Sequence, residues 1–308
     1  MAKQRFVLGK SVETRILGWV LLSMVIALTS FAGTLQRPSS PGEENERSVP
    51  GSCPSMMVQI PAGTYWMGSD NGNADEKPVH QVTLDGFCLD RTEVTVAAYT
   101  ECTRLGKCSP APTTADWPGI KEEDKAIDSQ FCNGTRADHQ QHPINCVNWT
   151  MAVAYCRAMD KRLPTEEEWE YAAKGHDGRT YPWGNAAPSS NLLNSLGPET
   201  VALGERLGHP GWNPMFSGFD GWESTSPGGS YPEGASPFGV LDLAGNVWEW
   251  TSSGYSQDYR SEPINDLHVY RGGGWGSDNV SFIRTTYRGK GGLTYRGADV
   301  GFRCAKSQ

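Results

Sequence analysis

The chain has 308 residues, of which 37% are hydrophobic and 20% charged, with 36 glycines, 20 prolines and 11 tryptophans. This composition is typical of a globular protein rich in turns and aromatic side chains, and it argues against a helix bundle. The formal net charge is −8; four basic residues and one acidic residue give residues 1–33 a charge of +3, so the remainder carries −11. An acidic domain of this kind repels phosphate backbones, so no nucleic-acid partner is expected.

The first feature along the chain is an uncharged, mostly apolar segment, Ile16–Ala32, behind a basic lead. This pattern is typical of an export signal. Ser30 and Ala32 supply small residues for cleavage before Gly33, whereas the length of the apolar segment is also near the lower limit for spanning a bilayer. Residues 1–33 are therefore predicted to be a signal peptide or a signal anchor. The protein is expected to be extracytoplasmic: periplasmic, secreted or membrane-anchored through this segment.

Residues 34–52 are polar and proline-bearing, which predicts a disordered linker. The folded domain is then expected to span residues 53–308. All eight cysteines lie in that part, and an even number in an exported chain indicates disulfide bonds. The cysteine spacings do not favour a zinc site, and they leave the pairing open.

Short strands are predicted at Met57–Ile60 and Val82–Leu84, around a glycine-rich loop at Pro61–Pro78. Thr95 is a good N-cap for a short amphipathic helix, which Gly106 is placed to stop.

Thr150 is predicted to cap a second helix, from Met151 to about Met159. The residues expected to face the interior are Val153, Ala154 and Cys156. A third helix should begin with a capping box of Thr165 and Glu168 and end before Gly175. Few helical periods follow, so the second half is expected to be dominated by loops that ions and disulfides must hold.

Eight motifs in order carry a resemblance to a known family. They are IPAGTYWMGS (60–69), DRTEVTVAAY (90–99), HPINCVNWTMAVAYC (142–156), KRLPTEEEWEYAAKG (161–175), YPWGN (181–185), FGVLDLAGNVWEW (238–250), VYRGGGWG (269–276) and VGFRC (300–304). Across about residues 57–305 the chain resembles the formylglycine-generating enzyme, or sulfatase-modifying factor, family. The resemblance implies an α+β, variant C-type-lectin-like fold with little regular secondary structure, stabilised by calcium and disulfides.

Members of this family oxidise a cysteine of sulfatases to formylglycine, using O2 and a copper ion held by two cysteines. Aligned on the RGG motif at 271–273, the family's serine is Gly274 here, and its two copper cysteines are Ser277 and Phe282. A hydroxyl and a phenyl ring do not bind Cu(I) as two thiolates do. We therefore expect neither copper nor formylglycine-generating activity.

The resemblance also implies two calcium sites. The ligands of the first are Asp242, Gly245, Val247 and Glu249, in a glycine-bearing turn between two carboxylates, which suits an ion that prefers oxygen ligands. The ligands of the second are Asn191, Leu192, Asp220 and Trp222. From the residues alone, capping of turns by Asp242 and Glu249 is the competing interpretation.

The resemblance further pairs Cys156 with Cys304 in a disulfide, while Cys102 and Cys108 could close a local loop. It places Trp248, Trp275, Arg284 and Arg288 in the region that lines the family's peptide groove. Aromatic residues and arginine are typical of binding hot spots. For the tryptophans, packing in the core is the alternative.

Two functions from different classes remain. The first is an exported, non-oxidase member that binds a peptide, glycan or protein partner through the family groove. The second is an oxidoreductase of the same superfamily with a rebuilt metal site, for which Ser277, Asp278 and His268 are the available ligands. A structural role in an envelope assembly is a third, weaker hypothesis.

Overall fold

Strand pairing brings the two ends of the folded chain together. The computed structural model describes residues 52–308, so the predicted export segment and all but the last residue of the predicted linker lie outside the described residues. The described residues belong to one compact unit. Their β-strands are β1 (Met57–Ile60), β2 (Gly63–Met67), β3 (His80–Leu84), β4 (Phe87–Asp90), β5 (Trp248–Gly254), β6 (Leu267–Arg271), β7 (Gly289–Gly292), β8 (Val300–Gly301) and β9 (Ala305–Ser307). Their α-helices are α1 (Val96–Arg104), α2 (Glu122–Asp128), α3 (Trp149–Ala158), α4 (Glu166–Lys174) and α5 (Pro198–Arg206).

Two small sheets and one hairpin contain these strands. The first sheet is antiparallel, in the order β1-β4-β9, so the C-terminal strand pairs with a strand near the start of the domain. The second has the order β7-β6-β5-β8 and is antiparallel except where β5 and β8 run in parallel. Strands β2 and β3 form the hairpin. Residues 242–247 lead into β5 and residues 272–282 follow β6, so the second sheet positions both segments that the resemblance marks as functional.

The predicted caps of the first and third helices are confirmed. Thr95 Oγ1 accepts a hydrogen bond from Ala98 N at the start of α1. Thr165 and Glu168 form the capping box at the start of α4, each side chain bonding to the other's backbone N–H. These caps satisfy N–H groups that a helix leaves without intrahelical partners, which is why local sequence alone locates both helix starts.

The prediction for the start of α3 is wrong. Asn148, not Thr150, is the N-cap, and its side-chain oxygen accepts from Met151 N at 3.0 Å. Thr150 already lies in the first turn and donates to the same Asn148 oxygen at 2.8 Å. The buried residues of this helix are Ala152, Tyr155 and Cys156, whereas Val153 is half-buried and Ala154 is exposed.

The loop predictions need two corrections. Strand β2 lies inside the predicted loop Pro61–Pro78, where Tyr65 and Met67 alternate with exposed neighbours in the period of a half-buried strand. Helix α5 lies in the half predicted to be loops, and it begins with Pro198 at a position that tolerates a missing N–H. The rest of that half up to β5 has only one short 3-10 turn, at Pro232–Gly234, among the described residues.

Disulfides connect parts of the core that few regular elements link. Cys156 bonds to Cys304, as the resemblance implies, and Cys102 bonds to Cys108. The other two bonds are Cys53–Cys88 and Cys132–Cys146. The Cys156–Cys304 bond closes 148 residues of chain, which stabilises the fold by about 4 to 5 kcal/mol in the chain-entropy model. Its two sulfurs lie in a cluster that also contains the packed rings of Tyr155 and Phe302, whose centroids are 5.4 Å apart.

The mixed α+β class with little regular structure and several disulfides agrees with the prediction. From residue 52 onward, no helix combines the length and apolar character needed to cross a membrane.

The cap of α3 provides a test of this fold. Replacing Asn148 by Ala should lower the free energy of unfolding by about 1 kcal/mol, because Met151 N loses its acceptor. Thr150→Ala is the matched control, and its effect should stay within about 0.5 kcal/mol. Urea unfolding of both variants measures the difference. Equal losses, or a larger loss for the Thr150 variant, would contradict the assignment of the cap.

Candidate functional site

The segment at the family's copper position is a tight turn after β6. Gly272 and Gly273 have φ values of +96° and +78°, in the region that favours glycine. Ser277 is buried, and its Oγ accepts a hydrogen bond from Gly274 N at 3.0 Å. A Cβ on Gly274 would lie 2.9 Å from the Asp299 carbonyl oxygen, so even the serine found in the family would require a shift here. The Ser277 hydroxyl therefore closes a turn.

At the second copper position, Phe282 packs against other aromatic rings. The ring of Phe282 lies 5.1 Å from that of Tyr287 and 6.1 Å from that of Trp248, measured between centroids. All eight cysteines of the sequence are accounted for by the four disulfides, so none is free to replace the missing thiolates. The residues present do not fit a thiolate-held copper ion.

A cavity of about 370 Å³ opens beside this turn. Its walls carry four aromatic and three acidic side chains, here called the aromatic–acidic cavity: Trp117, Trp212, Trp275, Tyr295, Asp128, Asp278 and Asp299. Trp275 and Asp278 lie within two residues of Ser277 in the chain. The volume is in the range of small-ligand sites in proteins.

The aromatic walls of this cavity are held by specific contacts. Trp117 stacks on Tyr295 with 5.6 Å between ring centroids. Trp275 Nε1 donates to the Ala298 carbonyl at 3.1 Å, which fixes the orientation of the indole. Sequence reasoning did not single out Trp117, because it comes from a distant segment of the chain.

Two of the carboxyl groups have unusual protonation behaviour. Burial raises the pKa of Asp299 to about 6, and the negative charge of Asp128 adds to the effect. Burial also raises the pKa of Asp128 to about 6, with a further contribution from the carboxylate of Asp124. Both groups are therefore mostly ionised at neutral pH, but at a free-energy cost that their surroundings do not offset.

The residues predicted to line one groove lie in different surroundings. Trp275 lines the aromatic–acidic cavity, while Trp248 is buried at 8% exposure. Arg288 is buried, and its guanidinium bonds to both carboxylate oxygens of Glu166 at 2.9 and 2.8 Å. Arg284 makes a similar pair with Glu76, at 2.9 and 2.7 Å, beside a separate cavity of about 510 Å³. In this structure the two arginines hold the interior together.

The first predicted calcium set lies in a tight turn. Asp242, Gly245 and Asn246 all have positive φ, between +57° and +81°, which curls the chain before β5. Asp242 Oδ2 accepts from Gly229 N at 2.6 Å. Gly245 packs tightly, since a Cβ there would lie 2.1 Å from the Asn194 carbonyl oxygen.

Glu249 has protein partners for both of its carboxylate oxygens. Each accepts from the guanidinium of Arg303 at 2.7 Å, and one also accepts from Trp169 Nε1 at 2.8 Å. The Arg303–Glu249 pair is buried. The remaining ligand of this set, Val247, is fully buried at the entrance to β5.

Glu93 is a carboxylate that sequence reasoning did not single out. It is 3% exposed, and neither of its oxygens has a hydrogen-bond partner. Burial raises the pKa of Glu93 well above its usual value, and the nearby carboxylate of Asp242 raises it further. Nothing in the local pattern marks Glu93, because its neighbour lies almost 150 residues away in the chain.

The second predicted calcium set has its own hydrogen bonds. Asn191 is exposed, accepts from Ser189 Oγ and donates to Glu233 Oε2, both at 2.6 Å. The Asp220 carboxylate accepts from Trp222 N at 3.0 Å and from a second backbone N–H, and burial raises its pKa to about 6. Leu192 is half-buried, and its carbonyl packs closely against Gly234.

The residues proposed for a rebuilt metal site have other surroundings. His268 stacks on Trp149 with 3.8 Å between ring centroids, and Asp278 is exposed. Across residues 52–308, no three His, Cys, Asp or Glu side chains are grouped as a metal site would require.

Comparison with known proteins identifies the family to which this chain belongs. The model of the sulfatase-modifying factor enzyme 1-like domain matches residues 43–308. The chain is 31% identical over 245 residues to the formylglycine-generating enzyme of Mycobacterium tuberculosis, covering 67% of this chain and 77% of that protein. It is 32% identical over 284 residues to the inactive C-alpha-formylglycine-generating enzyme 2 of Bos taurus, covering 81% and 87%.

Among solved structures, PvdO from Pseudomonas aeruginosa superposes with a TM-score of 0.59 at 25% identity, covering 82% of this chain and 94% of that one. The Treponema denticola variable protein 1 shares the fold, with a TM-score of 0.56 at 18% identity, covering 82% and 95%. By its sequence, its fold and the ordered motifs around β5 and β6, this chain belongs to the sulfatase-modifying factor family.

Proposed function

We propose that this protein is an exported member of the family that binds a peptide, glycan or protein ligand at the aromatic–acidic cavity and does not generate formylglycine. The observation that carries the proposal is the loss of sulfur at the copper position. Ser277 and Phe282 replace the two thiolates, and every cysteine of the chain is in a disulfide.

The chemistry of the family's reaction explains why this loss matters. Two thiolates select Cu(I), since soft sulfur ligands suit that ion and hydroxyl groups do not. The Ser277 hydroxyl already accepts a backbone hydrogen bond, and Phe282 offers no donor atom. That a bovine relative with 32% identity is named an inactive formylglycine-generating enzyme supports a non-oxidase member of this fold.

The disulfide bonds also support export. Four disulfides in one domain are typical of proteins that fold in an oxidising compartment. The basic, apolar N-terminal pattern at residues 1–33 is the second support, and it favours a periplasmic, secreted or membrane-anchored protein.

Formylglycine formation is the direct test. The purified protein, incubated with Cu(I), O2 and a Cys-x-Pro-x-Arg peptide, should give no formylglycine above the enzyme-free control by mass spectrometry. The double variant Ser277→Cys and Phe282→Cys should retain Cu(I) through dialysis, whereas the wild-type protein should not. The variant Ser277→Ala and Phe282→Ala is its matched control. Turnover of the peptide by the wild-type protein would overturn the proposal.

We also propose that calcium binds at the turn before β5. Glu93 supports this idea, because two unpartnered, buried carboxylate oxygens require a cation or a proton. Glu93 and Asp242 would hold the ion together with the backbone carbonyls of Gly245 and Val247, and Glu249 would join them only by sharing its carboxylate with Arg303. When bound, the ion would neutralise the turn and stabilise its shape. The second site, at Asn191, stays a prediction.

Calcium at about 100 times its dissociation constant should stabilise the fold by about 2.7 kcal/mol. This corresponds to a rise in Tm of roughly 5–10 °C for a domain of this size. Glu93→Gln should lose most of that rise, while its Tm in EGTA should equal or exceed that of the wild type, because a buried charge is gone.

Glu122→Gln, at an exposed position of α2, is the control and should keep the full calcium response. Differential scanning fluorimetry measures all three proteins. A wild-type Tm that does not differ between calcium and EGTA would contradict calcium binding.

A further inference from the structure

We propose that the aromatic–acidic cavity binds an organic cation, an alkylammonium or guanidinium group carried by a free amine or by a basic side chain of a peptide. This inference rests on the proposed function, since it names the chemical class of the ligand at that same site. Two features of the cavity carry it: aromatic faces on its walls and carboxylates without counter-ions.

The walls have the chemistry that attracts cations. The face of an aromatic ring carries partial negative charge, and tryptophan is the strongest of the natural side chains in this respect. Three indoles and one phenol surround about 370 Å³ here. Three of the rings are held by specific contacts: Trp117 and Tyr295 stack on each other, and Trp275 donates a hydrogen bond. A prearranged wall loses little entropy when a ligand binds.

The carboxylates of the cavity have no cation from the protein. None of the residues lining it is lysine, arginine or histidine. Two basic side chains close in sequence to the cavity residues, Lys125 and Arg296, both bind Asp116, at 2.9 and 3.3 Å. The imidazole of His209 acts on the charge of Asp128 but forms no ion pair with it. In the part of the chain that the structure describes, no ion pair includes Asp128, Asp278 or Asp299.

The repulsion between these carboxylates favours a positive ligand. Asp128 and Asp299 are both half-buried, and each is mostly ionised at neutral pH. A cation between them would relieve the repulsion and replace the water that burial has removed. Among the described residues, no ion pair balances the negative charge of these carboxylates. The cavity therefore binds a positive ligand more tightly than a neutral ligand of the same shape.

The second cavity described above does not show this imbalance. That cavity, of about 510 Å³, is lined by Lys174, Arg179 and Arg284. Each of these cations is already paired with a carboxylate of the protein: Glu170, Asp177 and Glu76. Its charges are therefore balanced within the protein, and it gives no comparable reason to bind an ion.

The nature of the walls selects an organic cation over a metal ion. Metal ions such as calcium require several oxygen ligands at short range, whereas four of the seven side chains named for this cavity are aromatic. Guanidinium and quaternary ammonium groups are instead weakly hydrated for cations, and they pack on aromatic faces. The volume admits a small amine or one side chain of a peptide.

Choline and its neutral analogue 3,3-dimethylbutanol test the inference, because they share a shape and differ in charge. Quenching of tryptophan fluorescence, with isothermal titration calorimetry as a second readout, should show that choline binds at least about tenfold more tightly than the alcohol. Calcium chloride is included as a third probe and should not compete with choline.

Peptides that contain lysine or arginine, matched with norleucine peptides, form the second arm. Tighter binding of the basic peptides than of choline identifies a peptide as the source of the cation, and tighter binding of choline identifies a free amine. Either result supports the cavity as a cation site.

Variants locate the site. Asp299→Asn and Trp212→Ala should each weaken the binding of the preferred cation by about tenfold. Asp128→Asn, at the end of α2, serves if the Asp299 variant does not fold. Glu205→Gln, at an exposed position of α5, is the control that should leave binding unchanged.

Equal affinity for choline and the alcohol, together with equal affinity for basic and norleucine peptides, would overturn the inference. Absence of any binding up to about 10 mM would do the same. Failure here leaves the proposed function intact if no formylglycine forms, whereas formylglycine production defeats the proposed function whatever the cavity binds.

Discussion

The four disulfide bonds are the constraint on which this domain depends. With short strands and only a few helices, the fold relies on bonds between distant segments, and Cys156–Cys304 joins α3 to the segment before β9 across 148 residues. The other three disulfides join the segment before β1 to β4, α1 to the loop that follows it, and Cys132 to Cys146. The same constraint limits the chemistry, because every sulfur used as a crosslink is unavailable as a thiolate. The stability of the fold and the proposed absence of oxidase chemistry therefore both depend on where the eight cysteines lie in the sequence.

The interior is held by ion pairs as well as by apolar packing. Arg271 is fully buried between the carboxylates of Glu166 and Glu170, at 3.1 Å from each. Arg303 is buried against Glu249 in the same manner. Charges inside a protein are tolerated only when they are paired and hydrogen-bonded. Glu93 has no hydrogen-bond partner, and the carboxylates of the aromatic–acidic cavity form no ion pair within the described residues. These are the two places where we propose that a ligand binds.

Two helix starts were predicted correctly because each depends only on residues that are close together in the sequence. The capping box at Thr165 and the cap at Thr95 were identified because a side chain and a backbone N–H three residues apart suffice to define them. The cap of α3 was misplaced by two residues because Asn148 and Thr150 are both good caps, and only the backbone shows which one stands outside the helix. The resemblance supplied the fold, the Cys156–Cys304 bond and the degenerate copper positions. The resemblance assigned Arg288 to a groove, and its pairing with Glu166 could not be predicted because the two residues lie more than 120 positions apart. The aromatic–acidic cavity was missed because its walls also come from distant segments.

The central claim is that this scaffold has no thiol with which to hold copper. Alkylation of the unfolded but unreduced protein with iodoacetamide, followed by intact-mass spectrometry, tests it most directly. The account predicts no alkylated cysteine before reduction and eight after it. Two alkylated cysteines in the unreduced protein would show a free thiol pair and would contradict the account.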